Sequence, residues 1–116
     1  MQFPAGSLYD DGTVWSLLGD IDFFESLRNL RIEDNVLLNL GATISHNCVV
    51  GDSSFVGVRT AVSGFAKIGS CCFIGTNSTI SDNISICDNA IIGASAVVIH
   101  DVVEEGVYIG VPAKKM

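Results

Sequence analysis

The chain has 116 residues and a net charge of −7, and 48% of its residues are hydrophobic against 16% charged. This is the length of one domain and the composition of a folded protein. The acidic balance argues against nucleic-acid binding, which needs a basic surface to neutralise phosphates. No apolar run approaches the ~18 residues of a membrane span, and residues 1–10 lack the features of a signal peptide. We therefore expect a cytoplasmic protein without a membrane partner.

Cysteine and histidine are too few and too irregularly spaced to suggest a metal site. The four cysteines show no CxxC spacing, two of them are neighbours, and the chain has only two histidines. A structural zinc site needs four such ligands at characteristic spacing. We therefore expect no metal, and we interpret the cysteines as free thiols that are buried or half-buried. They are Cys48, Cys71, Cys72 and Cys87.

Residues 1–31 form the first predicted segment. Its later part alternates apolar and acidic residues in a way that predicts a short amphipathic helix, although Gly19 weakens the pattern. Terminal units of a repeat protein differ from the others because they cover the open end of the stack. We predict that this segment caps the repeat that follows; the alternative is a substrate-recognition lid. The apolar positions are Trp15, Leu18, Phe23, Leu27 and Leu30.

A six-residue repeat begins at Ile32 and continues without a break to Val98. Counting in steps of six meets an aliphatic residue at all twelve positions, which chance does not produce. The residue two places before each position is usually small, and the residue after it is often glycine. The repeat positions are Ile32, Leu38, Ile44, Val50, Val56, Val62, Ile68, Ile74, Ile80, Ile86, Ile92 and Val98.

This period predicts an all-β protein. Six residues suit a short strand and a tight corner, where glycine takes the positive φ that other residues resist. Three such sides close a coil of eighteen residues, so the repeat positions stack in three aliphatic columns. The result is a parallel β-helix of nearly four coils with strands ~4.8 Å apart. Glu104 occupies the next repeat position and ends the pattern, and a further strand is predicted at 107–109.

The period and residue pattern resemble the hexapeptide-repeat superfamily, which implies a left-handed β-helix, an exception to the usual right-handed crossover. It also implies a prism-shaped domain that assembles as a homotrimer. Residues 44–52 (ISHNCVVGD), and residues 92–102 (IGASAVVIHDV) followed by GVPAK at 110–114, are similar to acetyltransferases that modify bacterial sialic acids and nucleotide-linked amino sugars. We interpret residues 32–116 as this repeat domain with a C-terminal extension. Residues 1–31 are too short to supply the nucleotide-binding domain that normally precedes it.

The resemblance implies that His46 is the general base of a direct acetyl transfer, with Asn47 beside it. A base must take the proton from the incoming hydroxyl or amine, and imidazole is the usual group. The family commonly has Asp or Glu where this chain has Asn47, and often a second histidine where it has Phe55. Without the surrounding motif, His46 is interpreted as a surface histidine at a corner.

Residues eighteen positions apart lie on adjacent coils, which places Gly64 next to His46 and puts Thr76 and Ala94 together on another line. The resemblance implies that Gly64, Thr76 and Ala94 bind the pantetheine arm and thioester of acetyl-CoA through their main chain. Glycine lets a ligand approach closely, and the Gly64 N–H would suit a developing oxyanion.

Two lysines and the second histidine lie towards the C-terminus. Lys114, with its neighbour Lys115, would meet the phosphates of acetyl-CoA. His100 lies on the same stacking line as His46 but three coils away, on the order of 14 Å at β-sheet spacing, so the two do not form a dyad.

The preferred function is that of an acetyl-CoA-dependent O- or N-acetyltransferase acting on a sugar or sugar nucleotide, with sites between the subunits of a homotrimer. The alternative is a non-catalytic hexapeptide scaffold, which Asn47 and Phe55 favour. A carbonic anhydrase of this fold would need three zinc-binding histidines, and the chain has two.

Overall fold

The computed structural model describes residues 30–116, and this part of the chain consists of strands, turns and bends. Within it no helix is long and apolar enough to cross a membrane. The predicted amphipathic helix and its capping role lie outside the described residues, apart from Leu30 and Arg31. Leu30 is buried at the entrance to the first strand, two positions before the first repeat residue, Ile32.

Within residues 30–116, fourteen strands follow one another, most of them two residues long. They are β1 (Arg31–Ile32), β2 (Leu37–Leu38), β3 (Thr43–Ile44), β4 (Val49–Val50), β5 (Phe55–Val56), β6 (Ala61–Val62), β7 (Lys67–Ile68), β8 (Phe73–Ile74), β9 (Thr79–Ile80), β10 (Ser85–Ile86), β11 (Ala90–Ile92), β12 (Val97–Val98), β13 (Gly106–Ile109) and β14 (Lys114–Lys115).

The strands form three sheets that run the length of the molecule. Sheet A contains β1, β4, β7 and β10, sheet B contains β2, β5, β8, β11, β13 and β14, and sheet C contains β3, β6, β9 and β12. Parallel partners are eighteen residues apart, as in Val50 with Ile68, up to the last coil. The three predicted columns are therefore confirmed: the fold is a parallel solenoid of about four turns, as expected of a left-handed β-helix.

The core is the narrow interior that the columns fill. All twelve repeat residues are at most 5% exposed, so alternation along each short strand points one aliphatic side chain inward. The small residues two places earlier are buried at the corners. Where they carry a hydroxyl or thiol, most donate to a corner carbonyl of the next coil, as Ser54 Oγ does to Gly69 O at 2.7 Å and Thr60 Oγ1 to Gly75 O at 2.9 Å. Ser78 Oγ instead donates to Gly75 O of its own corner, at 2.6 Å.

The corners contain a second six-residue series that the sequence pattern does not reveal. A corner consists of the four residues between one repeat strand and the next. In every corner from the one that contains Asn35 to the one that contains Ser95, the third residue has a positive φ, which is about 60°, or 76° where the residue is glycine. Asparagine and glycine enter this left-handed region most easily, and they hold six of the eleven positions. The series is Asn35, Gly41, Asn47, Ser53, Arg59, Phe65, Cys71, Asn77, Asn83, Asn89 and Ser95.

The glycines that follow the repeat residues have a different role from the predicted one. None of them takes a positive φ. A Cβ on Gly57 would lie 2.7 Å from Thr76 N, and one on Gly75 would lie 2.7 Å from Ala94 N. Gly51, Gly57, Gly69 and Gly75 are therefore needed because backbone from the next coil passes directly over them, whereas the side chain of Ile109 lies over Gly93.

The last coil is two residues shorter than the others. Ile86 bridges Val102, and Ile91 pairs with Val107, so both offsets are sixteen where earlier pairs differ by eighteen. The predicted strand at 107–109 is confirmed within β13, which adds to sheet B. β14 returns antiparallel to it, and Ala113 N donates to Val97 O at 2.8 Å, so this hairpin closes the C-terminal end of the prism.

Candidate active site

His46 lies on the prism edge between sheets C and A. This edge, the C–A edge, is made of the corners 45–48, 63–66 and 81–84. Each corner on it follows a strand of sheet C and precedes one of sheet A. His46 is the second residue of its corner, so its side chain points outward and is exposed. An imidazole at this place is accessible to ligands, whereas a core position would not be.

Asn47 holds the imidazole at one nitrogen. Its Oδ1 lies 2.9 Å from His46 Nδ1. An amide oxygen only accepts hydrogen bonds, so with Oδ1 facing the ring this contact favours the tautomer in which Nδ1 carries the proton and Nε2 keeps a free lone pair. Asn47 has a φ of 59°, and this left-handed conformation aims its short side chain back at the neighbouring ring.

Gly64 holds the imidazole from the adjacent coil. A Cβ on Gly64 would lie 2.9 Å from His46 Cε1 and 3.0 Å from Nε2, so the ring occupies the space that any other side chain would fill. The eighteen-residue stacking of Gly64 on His46 is therefore present. Its consequence in the structure is that Gly64 leaves room for the imidazole ring against the adjacent coil.

Phe65 is a neighbour of His46 that the sequence did not single out. Its ring meets the imidazole edge-on, with centroids 5.2 Å apart and planes at 87°. The signal that identifies it is structural: a bulky aromatic residue with a φ of 61°, in a series where asparagine is the commonest residue.

Cys48 stabilises the corner from inside. Its thiol donates to Ser63 O at 3.1 Å and lies 3.5 Å from His46 O, which ties the two coils together directly beneath the imidazole. Burial raises the pKa of Cys48, so the thiol stays protonated and acts as a donor, not as a nucleophile. The interpretation of the cysteines as free thiols is confirmed, although Cys71 is exposed.

Thr76 and Ala94 lie on a different edge of the prism, the B–C edge, made of corners 39–42, 57–60, 75–78 and 93–96. Both residues are exposed. The backbone of Ala94 packs against Gly75, and the N–H of the next residue, Ser95, donates to Thr76 O at 2.8 Å. Sheet C separates this edge from His46 and Gly64. A single chain therefore brings Gly64, but not Thr76 or Ala94, together with His46, the predicted base.

The two terminal lysines lie in the closing hairpin. Lys114 and Lys115 form β14 at the end of sheet B, and both are exposed. Lys115 Nζ is 3.5 Å from Glu104 Oε1, an exposed ion pair of little energetic weight. Lys114 is therefore the lysine of this strand that is better placed for a phosphate.

His100 and Phe55 lie apart from the cluster around His46. His100 lies in the shortened last corner, near the C-terminal end, where the register offset has fallen to sixteen. Phe55 lies on the outer face of sheet B, with its ring stacked on that of Phe73 at a centroid distance of 4.7 Å. Among residues 30–116 no group of three His, Cys, Asp or Glu side chains is placed to hold a metal ion.

Comparison with known proteins gives one family match. Residues 65–100 match the family model of the bacterial transferase hexapeptide, which describes six repeats. The matched stretch covers two full coils and contains Gly64's neighbour Phe65, together with Thr76 and Ala94.

Three solved structures illustrate the structural likeness. A serine acetyltransferase from Neisseria gonorrhoeae with serine bound is 32% identical, with a TM-score of 0.69 over 73% of this chain and 39% of that one. A soybean serine acetyltransferase with serine is 27% identical, with a TM-score of 0.68 over 75% of this chain and 40% of the other. A mutant perosamine N-acetyltransferase from Caulobacter crescentus, with CoA and GDP-perosamine, is 24% identical, with a TM-score of 0.64 over 76% and 50%. The present chain thus spans half or less of each of these proteins.

Proposed function

We propose that this protein is an acetyl-CoA-dependent acetyltransferase in which His46 is the general base. The observation that carries the proposal is the seating of the imidazole: Asn47 fixes Nδ1, Gly64 leaves room for the ring, and Nε2 is free on an exposed edge. The likeness to a serine acetyltransferase at 32% identity supports the same class of reaction.

The chemistry is a direct transfer. Nε2 of His46 takes the proton of the acceptor hydroxyl or amine while that atom attacks the thioester carbonyl. The new acyl bond forms, the carbon–sulfur bond breaks, and the proton held on the imidazole passes to the departing thiolate of CoA. The Asn47 oxygen stabilises the imidazolium through Nδ1–H, but it adds no negative charge, so we expect a weaker base than one paired with a carboxylate.

Acetyl-CoA would be held by the exposed B–C edge, where Thr76 and Ala94 present main chain beside small side chains, and Lys114 would meet its phosphates. Because sheet C separates this edge from His46 in one chain, a complete site needs the B–C edge of a neighbouring copy. A homotrimer with sites between subunits satisfies this requirement.

Sheet B carries the surface best suited to that assembly. Its outward residues form a continuous apolar stripe, with Leu37 55%, Phe73 46% and Ile91 42% exposed. Exposed apolar stripes of this kind mark interfaces more often than free surface. The outward residues are Leu37, Phe55, Phe73, Ile91 and Val107 on sheet B, against Arg31, Val49, Lys67 and Ser85 on sheet A and Thr43, Ala61, Thr79 and Val97 on sheet C.

The acceptor we propose is a sugar or sugar nucleotide, on the strength of the motif at residues 44–52. Whether oxygen or nitrogen is acetylated depends on which atom reaches Nε2. Serine, the ligand of two of the similar structures, is the competing acceptor class.

Thiol release from acetyl-CoA tests the proposal, with a panel of amino sugars, sugar nucleotides, sialic acid and serine as acceptors. We expect acceptor-dependent release, and His46→Ala should lower turnover by roughly 10²-fold or more, the usual size of a general-base contribution. His100→Ala, which removes the other histidine, is the matched control and should keep its activity. Near-wild-type turnover by His46→Ala would show that the base lies elsewhere.

A non-catalytic scaffold is the second candidate, favoured by the uncharged Asn47 beside His46 and by Phe55 on the sheet B stripe. It predicts no acceptor-dependent thiol release with any member of the panel, and no heat of binding when acetyl-CoA is titrated to millimolar concentration. Either a measurable turnover or a binding isotherm excludes it.

A further inference from the structure

Phe65 is held in a backbone conformation that its side chain disfavours. It occupies the third position of its corner with a φ of 61°, directly over Asn47 in the stack. A bulky residue in the left-handed region is an outlier in proteins, whereas asparagine and glycine, which hold six of the eleven equivalent positions, are at ease there. Strain of this kind persists where the surrounding structure or a function maintains it.

The packing and hydrogen bonds of the fold do not account for an aromatic ring at this position. The side chain is 54% exposed, and the core contact of this corner is made by Ala66, which is fully buried. The Phe65 N–H donates to His46 O at 3.1 Å, but this is the ordinary bond of such corners, and Cys71 N–H makes the same bond to Asp52 O at 2.8 Å. Any residue would supply it.

What the ring does contact is the proposed base. Its centroid lies 5.2 Å from that of the His46 imidazole, at right angles to it, and more than half of the side chain remains open to solvent. An acceptor that reaches the His46 imidazole thus approaches a ring in direct contact with Phe65, and the groups around its nucleophilic oxygen or nitrogen can meet this exposed aromatic surface.

The chemistry of that surface is selective. The face of a phenyl ring carries partial negative charge, so it attracts polarised C–H groups and repels carboxylates and phosphates. An anionic group pressed against the ring would also lose hydration without gaining a hydrogen bond. The C–H face of a pyranose ring, or the methyl group of a deoxy sugar, meets neither penalty.

We propose that Phe65 is a specificity-determining residue that selects acceptors with a neutral C–H face beside the nucleophilic atom, and that disfavours those with a carboxylate there. This rests on the proposed function and deepens it, because it favours a carbohydrate over serine, whose carboxylate lies two bonds from its hydroxyl-bearing carbon.

Three variants test the role of the ring. Phe65→Asn introduces the residue that is commonest in this series, and Phe65→Tyr keeps an aromatic ring. Cys71→Asn relieves backbone strain in the same way, but at a corner between sheets A and B. Each is assayed by thiol release with the best acceptor of the panel and with its uronic acid counterpart, which places a carboxylate on the same ring. Thermal unfolding of each variant is measured in parallel.

We expect Phe65→Asn to raise the acceptor KM about tenfold and to cut the preference for the neutral acceptor by a similar factor, with kcat and the acetyl-CoA KM little changed. Phe65→Tyr should retain both properties, and Cys71→Asn should match the wild type in kinetics. Both asparagine variants should unfold at a higher temperature, because the backbone strain is relieved.

The outcomes distinguish the specificity role of Phe65 from the acetyltransferase function on which it rests. Unchanged KM and preference in an active Phe65→Asn variant would overturn the specificity role and leave the acetyltransferase function standing. A fall in kcat at constant preference would also overturn it, since the ring would then only position His46. A wild type that releases no thiol with any acceptor overturns the proposed function, and this inference with it.

Discussion

At the scale of single residues, the proposed base depends on an uncharged partner, Asn47. Asn47 Oδ1 accepts from His46 Nδ1 at 2.9 Å and so sets the tautomer, which is half of what a carboxylate would do. The other half is charge: a carboxylate would stabilise the imidazolium that forms as the proton is taken. Asn47 thus keeps the orientation of His46 without supplying the charge that would stabilise the imidazolium.

Asn47→Asp should therefore increase activity. Asp tolerates the left-handed backbone nearly as well as Asn, so the corner should be preserved. A hydrogen bond to a charged group contributes about 1 kcal/mol more than a neutral one, which corresponds to about a fivefold rise in kcat/KM. Steady-state kinetics on the wild type and the variant measure it.

Asn83→Asp is the matched control for this substitution. Asn83 has the same backbone conformation on the same C–A edge, two coils away from Asn47, so the variant introduces the same charge without contacting His46. Equal gains in both variants would mean that the effect comes from the net charge of the protein and not from the pairing with the imidazole.

At the scale of secondary-structure elements, glycines in different corners differ in which atoms of the adjacent coil pack against them. Gly64 faces the His46 ring, which is exposed and able to move. Gly75 faces backbone, since its Cβ would lie 2.7 Å from both Ala94 N and Ile92 O. Gly64 therefore makes room for the His46 ring, and Gly75 allows the backbone of adjacent coils to approach closely.

Alanine at these two glycines should separate activity from stability. Gly64→Ala should displace the imidazole and lower kcat by up to about 10²-fold, with little change in the free energy of unfolding. Gly75→Ala should destabilise the protein by about 1–3 kcal/mol, because backbone must shift to admit the methyl group. Urea unfolding and steady-state kinetics on both variants measure the contrast, and a Gly64→Ala variant with wild-type kcat would refute the seating role.

Most of the solenoid is predictable from the sequence, because its aliphatic columns repeat without exception from Ile32 to Val98. The contact of Gly64 with His46 is predictable for the same reason, since stacking at eighteen residues is a matter of counting. The left-handed corner series is not, because residues as different as Asn47, Arg59 and Phe65 share a backbone conformation and no side-chain property.

Two other features escape the sequence for physical reasons. Glycine after a repeat residue suggests a positive φ, and only the structure shows that Gly75 is needed for the backbone above it. The loss of two residues in the last coil is also hidden, because the repeat positions end at Val98 before the offset changes. His100 therefore lies in a shortened corner that counting alone does not reveal.

At the scale of the whole molecule, buried thiols link stability to pH. Burial raises the pKa of Cys48 and of Cys72 above the ordinary value of 9.0, so the folded protein holds these protons more tightly than the unfolded chain does. Their stabilising contribution is complete below about pH 9 and is lost as the pH rises through the folded-state values. We therefore expect the free energy of unfolding to fall as the pH rises above about 9.

The double variant Cys48→Ala, Cys72→Ala isolates this effect. Alanine already occupies the equivalent inward corner position at Ala42, Ala66 and Ala90, so the fold should accept it. Urea unfolding at pH 8 and pH 10 should show a shallower loss of stability in the variant than in the wild type. An equal loss in both proteins would assign the alkaline sensitivity to other groups.

Assembly is the remaining property of the whole molecule, and the sheet B stripe is where it can be tested. Phe73 is central in the stripe, 46% exposed, and stacked on Phe55. Phe73→Glu should convert the proposed trimer to monomers, because three copies would each bury an unpaired carboxylate at the interface. Sheet B does not border the C–A edge, so acetyl transfer measured on the same variant tests whether this contact also brings the B–C edge of a neighbouring copy to His46.

Thr79→Glu controls for the added charge. Thr79 points outward from sheet C in the same coil, so the variant carries the same charge on a different face. Light scattering coupled to size-exclusion chromatography gives the mass of each species, and we expect Thr79→Glu to remain trimeric. A trimeric Phe73→Glu with a monomeric Thr79→Glu would move the interface to sheet C, and a monomeric wild type with full activity would show that one chain forms the complete site.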